Sequence, residues 1–174
     1  MNRSEMKKCI ESLTADEAAR VLNDLLDNTP DLIKKAYDTA MKIAGDVNAD
    51  AIMDEVFNAL NALDDISSYC GSTRYGYVEP SEAAWKMFGE VVNPFIDEMK
   101  KAQERALPAA AKAHCIGIIK GLWKFEEDAT TDFAGWAEDA PSEYVDAVVK
   151  EWKKGKPGKK DIVEVMSIAK GDRP

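Results

Sequence analysis

The sequence predicts an all-α protein of seven or eight helices in antiparallel hairpins, forming either a helical bundle or a short HEAT-like superhelical stack. Three observations carry this reading. Apolar residues recur at three- and four-residue intervals through most of the 174 residues. Pro, Gly and short polar residues stand where such stripes begin and end. Outside the ambiguous last segment there is no strand pair and no Asn-Gly hairpin turn.

The elements follow in order. Met1 to Leu13 carries a short amphipathic pattern with Glu5, Lys7, Lys8 and Glu11. Thr14-Ala-Asp-Glu17 reads as a capping box, opening a helix with Ala18, Val21, Leu22, Leu25 and Leu26 on one face. Asn28-Thr29-Pro30 interrupts it, with Thr29 and Pro30 expected as cap and first position of the next helix. That helix sets Ile33, Ala36, Tyr37, Ala40, Met41 and Ala44 on one side and stops at Gly45. So short a connection predicts an antiparallel hairpin. Asn48 or Asp50 caps a third long segment bearing Ile52, Met53, Val56, Phe57, Leu60 and Leu63, expected to end near Asp65.

Pro80 and Ser81 open a longer helix whose stripe runs through Trp85, Phe88, Val92, Phe95, Met99, Ala102 and Ala106. Pro94 lies inside it with Gly89 nearby, so a kink is expected, and a break is the competing outcome. From Pro108 to Phe125 only Lys112, His114 and Lys120 interrupt the apolar residues, which marks a central helix. Gly117 and Gly121 share one face of it and would let another helix come close. Pro141 and Ser142 open a helix with Tyr144, Val145, Val148, Val149 and Trp152 that ends before Gly155. Residues 161–169 fit helix or strand, and Asp161 as a cap favours helix. A Pro followed by Ile and Lys-Lys-Ala occurs in both 26–40 and 91–106, a minimal internal repeat.

Composition bounds the rest. With 45% hydrophobic and 32% charged residues, the chain reads as a single soluble domain over 1–174, neither collagenous, membrane-spanning nor wholly disordered. A chain of this size buries roughly 70% of its unfolded surface, enough for a core without staples. Thirty-two acidic against 23 basic residues give a net charge of -9, which repels phosphate backbones, so no nucleic-acid partner is expected. Cys9, Cys70 and Cys115 are odd in number and widely spaced, as suits a reducing compartment. Met1 to Leu13 lacks the apolar core of a signal peptide, and 106–122 fails the span criterion on Lys112, His114 and Lys120. The expectation is a cytoplasmic protein away from membranes.

The candidate site residues lie in two irregular stretches. Ser67 to Pro80 is long for a helix connection, and long loops carry function more often than short ones. Arg74 there suits a carboxylate or phosphate, with Tyr69, Tyr75 and Tyr77 as flat walls and hydroxyl donors. Packed tyrosines covering a core are the simpler alternative. Cys70 is a conceivable thiol nucleophile with the lone His114. In the acidic stretch 129–141, Phe133 and Trp136 read as anchors against the fold or against a partner. His114 itself is expected as a neutral core imidazole with one hydrogen bond. No cysteine and histidine spacing indicates zinc, and the acidic clusters lack the ligand pattern of a calcium loop, so no metal or cofactor is expected. Trp152 to Lys160 concentrates five lysines, the one local exception to the acidic balance, which reads either as a contact for an anionic partner or as a solvated linker between the last two helices.

The run from Arg74 to Phe125, with its YGYVEP turn, the Trp85 helix and the Gly-Leu-Trp end of the next helix, resembles a helical region of uncharacterised prokaryotic proteins. Some of these also carry a SWIM-type zinc finger. The resemblance covers roughly a third of the chain and implies an all-helical, array-like module. The finger's cysteine and histidine ligands are missing, so zinc and nucleic-acid binding do not carry over. The functional expectation is a non-enzymatic helical module that presents Tyr69, Cys70, Arg74, Tyr75, Tyr77, Phe133 and Trp136 to a protein partner, with a homo-oligomer left open. The alternative is a binding protein or enzyme for an anionic small molecule, with its pocket under the Tyr69 to Tyr77 loop.

Overall fold

Helix starts in this chain are written in short polar side chains, and the first is at Asn2. Its Oδ1 accepts from the amide of Glu5 at 2.9 Å, while its own amide donates to the Glu5 carboxylate at 2.8 Å, a capping box that opens α1 (Arg3–Glu11). The computed structural model describes residues 2–64, 66, 69–74 and 76–171, and the chain falls into two compact units, Met1–Ile43 and Ala44–Pro174.

In the first unit the expected capping box opens α2 (Ala15–Asn28). The Thr14 amide donates to Glu17 at 2.9 Å, and the Glu17 amide donates to Thr14 Oγ1 at 3.3 Å. Those bonds hold the Glu17 carboxyl below its ordinary range. Thr29 ends α2 instead of capping its successor, and α3 (Asp31–Gly45) begins one residue after Pro30. Gly45 terminates it, as its sequence position predicts. None of α1, α2 and α3 buries a residue.

The second unit is organised by one helix. In α4 (Ala49–Asn61) the Asn48 Oδ1 accepts from the amides of Asp50 and Ala51, and the helix stops short of Asp65, itself outside the described residues. Next come α5 (Pro80–Glu104), α6 (Pro108–Asp128), a 3-10 turn (Asp132–Trp136), α7 (Ala140–Lys153) and α8 (Lys159–Ala169). Helices α4, α5, α7 and α8 all pack against α6. Their buried faces form one apolar cluster that includes Val56, Leu60, Phe88, Val92, Met99, Ile118, Leu122 and Val148. The all-α class therefore stands, with eight α-helices among the described residues.

The closest helix contact is where the two glycines predict it. A Cβ on Gly117 would lie 2.6 Å from the Ala49 carbonyl oxygen and 2.7 Å from Ile52 Cβ. One on Gly121 would lie 2.7 Å from Val56 Cβ. The α4 backbone thus occupies the space those side chains would fill. Along the same contact Lys120 pairs with Asp50 at 2.9 Å and Lys124 with Asp54 at 2.8 Å, a ladder at helical spacing on both sides.

Several local expectations need correction. Helix α5 continues unbroken through the exposed Pro94, so the competing break does not occur. Gly89 serves packing, since a Cβ there would meet the Tyr144 hydroxyl at 2.5 Å. Ala106 is no part of the α5 stripe: it stands beyond the helix end at φ 56, with the Leu107 amide donating to Ala102 and the Ala106 amide to Gln103. This is the Schellman arrangement, with alanine where glycine is preferred. The cap of α8 is Gly158, because Asp161 turns instead to Lys112, 2.8 Å away. Within the Tyr-rich stretch two three-residue strands, β1 (Gly71–Thr73) and β2 (Gly76–Val78), pair antiparallel with Ser72 opposite Tyr77. Gly71 at φ 110 and Gly76 at φ 135 take conformations that an L side chain resists. The two prolines of the apparent repeat also differ in place, since Pro30 precedes a helix and Pro94 sits inside one.

Candidate interaction surfaces

The site residues expected from sequence divide sharply. Phe133 is fully buried in the core, whereas Trp136, three residues on, is 49% exposed. The anchoring against the fold therefore belongs to Phe133, and Trp136 is left on the surface. In the hairpin, Tyr69, Arg74 and Tyr77 are exposed and Cys70 is half-buried against the core cluster. Tyr75 lies outside the described residues.

The two stretches singled out in the sequence are tied together at their roots. The amide of Thr130 donates to Asn61 Oδ1 at 2.8 Å, Asn61 Nδ2 donates to Thr130 Oγ1 at 3.1 Å, and the Thr131 hydroxyl donates to the Leu63 carbonyl. The end of α4, from which the Tyr-rich stretch departs, is thereby fixed to the entrance of the 3-10 turn. Nearby, Trp85 stacks on Tyr144 with ring centroids 6.3 Å apart, leaving the indole partly exposed.

His114 departs from expectation in one respect. It is half-buried, but its Nδ1 is the one buried side-chain polar atom among the described residues with no hydrogen-bond partner. Burial holds the imidazole below its ordinary range, while Glu98 and Glu55 pull weakly the other way. Cys115 beside it is fully buried, which pushes its thiol up to about 12 and leaves it inert. Among the described residues no three His, Cys, Asp or Glu side chains are grouped to hold a metal ion. Nor is any described helix long and apolar enough to cross a membrane.

An exposed apolar surface lies where sequence reading expected core. In the first unit Val21, Leu22 and Leu25 of α2, and Leu32, Ile33, Tyr37 and Ile43 of α3, are all exposed, Tyr37 to 62% and Ile43 to 70%. Met6 and Ile10 of α1 are exposed as well. Between α2 and α3 runs a groove of about 400 Å³, lined by Leu22, Leu25, Leu26, Leu32, Ala36 and Ile43, with Lys35 at its rim. Isolated surface leucines are ordinary, whereas several on one helix face call for an explanation. The periodicity that revealed the stripe was visible in the sequence. Its exposure was not, because an apolar stripe has the same pattern whatever covers it.

No family model, curated protein or solved structure matches this chain. The site must therefore be read from its own geometry.

The second unit holds concavities of its own. A cleft of about 540 Å³ is walled by Leu107, Pro108, Ala111, Trp152 and Pro157, with Gln103, Lys156 and Asp161 as polar members. Gln103 Nε2 donates to the Trp152 carbonyl at 2.7 Å, and Asp161 is engaged by Lys112. Ala106 and Lys156, the two non-glycine residues with positive φ among the described residues, both border this cleft. Backbone strain of this kind costs on the order of 1 kcal/mol per residue and collects at functional sites.

Proposed function

We propose that this protein is a non-enzymatic helical interaction module, with α2 and α3 as its docking surface and α4 to α8 as its folded support. One observation carries the reading: two amphipathic helices, in sequence no less apolar on one face than the helices of the second unit, fully bury no residue of that face. Covering a large apolar side chain that is now half exposed gains on the order of 1 kcal/mol, so the seven exposed on α2 and α3 supply a large driving force for association. The groove between the helices is lined mostly by apolar side chains, the kind of surface on which an apolar helical face docks. The exposed Tyr69, Tyr77 and Trp136 are further aromatic side chains that can serve the same purpose.

A photo-crosslinking residue at Leu25 tests this reading in cells. It should yield a protein adduct, and the same residue at Asp27, on the opposite side of α2, should yield far less. Equal yields from both positions, or none from Leu25, would end the proposal.

The second reading, a small-molecule ligand, is supported by the strained residues around the Trp152 cleft. Thermal melting against a metabolite panel tests it, since a ligand at 100 times its dissociation constant adds about 2.7 kcal/mol. If Lys156→Gly, which removes the strain and the side chain, leaves every shift unchanged, this reading fails.

A further inference from the structure

We propose that the groove where α6 runs out against the 3-10 turn is a second docking surface, and that its occupant is a lysine- or arginine-bearing segment of a partner protein. It lies wholly within the second unit, so it stands or falls apart from the α2–α3 surface.

The groove itself is built from both kinds of side chain that such a segment needs. It encloses about 350 Å³ between the last turn of α6 and the start of α7, with Phe125, Ala134, Ala137 and Pro141 as its apolar members and the exposed carboxylates of Glu126 and Glu138 as its acidic ones. Gly135 borders it without a side chain, and the space a Cβ would take there is open. Trp136, next in the chain, keeps its indole half in solvent.

Charge decides the class of occupant. Between Lys124 and Lys150 the chain has eight Asp and Glu and no Lys, Arg or His, so this stretch supplies nearly all of the net charge of -9. Glu126, Glu127 and Asp128 close α6, where the helix dipole is itself negative and a cation is the favoured neighbour. No basic residue stands in that last turn, and Lys124 just before it is engaged by Asp54 of α4. Glu126, Asp128 and Glu138 have no ion-pair partner among the described residues. Repulsion therefore stands where helix chemistry favours a lysine, and such a departure from the local rules is expected at a site that serves something besides folding.

The carboxylates are also spread out, since among the described residues no three are grouped to hold a metal ion. What neutralises them carries positive charge at intervals, as a basic peptide does and a divalent cation does not. Lysine and arginine suit the apolar members too, because their methylene stems cover apolar surface while the charged head stays in water beside a carboxylate. The exposed Trp136 ring offers a further face for a cation.

Fluorescence anisotropy of a labelled decapeptide of alternating Lys and Ala, titrated with the full chain at 50 mM salt, tests this. The peptide should bind, and Glu126→Gln with Glu138→Gln should weaken it about tenfold. Gly135→Leu, which fills the groove from an open position, should weaken it at least fivefold. Neither substitution removes an ion pair or a packed side chain, so both variants should melt with the wild type. Asp24→Asn with Asp27→Asn on α2 changes the net charge by the same amount as the glutamate pair and should move the affinity less than twofold. Equal losses from the two double variants would show attraction to net charge alone and overturn the proposal. Full affinity in Gly135→Leu overturns it as well, as does a wild type that leaves the peptide unbound at 100 µM.

Discussion

The first unit and the second are built from the same kind of helix and end in opposite states. Helices α2 and α4 each begin at a side-chain cap and each repeat apolar residues every three or four positions. Yet α4 buries Ile52, Val56 and Leu60, while α2 buries nothing. The difference lies in the neighbour. Against α4 stands α6, with glycines at two successive turns that bring the backbones together and lysines that pair with the aspartates alongside. Alongside α2 stands α3, whose facing residues leave a groove. Amphipathicity states that a face needs cover, and only a complementary surface supplies it.

The sharpest way to break this contrast is through the cysteines. Cys9 of α1 is exposed, whereas the Cys115 thiol is pushed up to about 12 from 9.0, so its thiolate is on the order of a thousandfold scarcer besides being inaccessible. Iodoacetamide on the native protein should modify Cys9 within minutes and Cys115 only on unfolding. Comparable rates would show that the second unit is no tighter than the first.

Next in size is the pair in the 3-10 turn. Phe133→Ala should cost about 3–5 kcal/mol in urea unfolding, and Trp136→Ala within about 0.5 kcal/mol of nothing. Gly121→Leu should follow at about 3 kcal/mol, because the α4 backbone cannot withdraw without opening the core. Leu22→Ala in α2 should leave the same transition almost unmoved. Ala106→Gly should stabilise the second unit by roughly 0.5–1 kcal/mol by relieving its left-handed conformation, and a melting temperature that falls would show the alanine to be favourable there.

The smallest effect is acid sensitivity. Burial lowers the native His114 pKa below its ordinary 6.5, so between those values the unfolded chain binds a proton that the native chain does not. Stability should therefore fall as pH drops below 6.5 and level off once the native imidazole is protonated. Replacing His114 with Leu should flatten that step in the second unit. The first unit contains no histidine and should show no such step in this window.

Much of the fold is legible in the sequence because helix boundaries are local chemistry. Thr14 with Glu17, Asn48, Pro80, Pro108 and Gly45 mark ends within a residue or two of where the structure places them, since each cap is settled by atoms a few positions away. Asp161 misled for the same reason in reverse: its carboxylate had a stronger partner in Lys112, 49 positions distant. The strands at Gly71 and Gly76 were hidden because six residues are too few to show alternation. Of the seven site residues expected from composition of the loops, Phe133 proved to be core, and Trp136 to be surface, a distinction no spacing rule makes.

What the sequence alone determined is where the helices lie, which face of each is apolar, and that Gly117 and Gly121 admit a close neighbour. What the tertiary structure decided is which of those faces are covered. Caps and periodicity act over one turn of helix, whereas burial depends on surfaces brought together from far along the chain, so α4 and α2 can be written alike and finish on opposite sides of the solvent boundary.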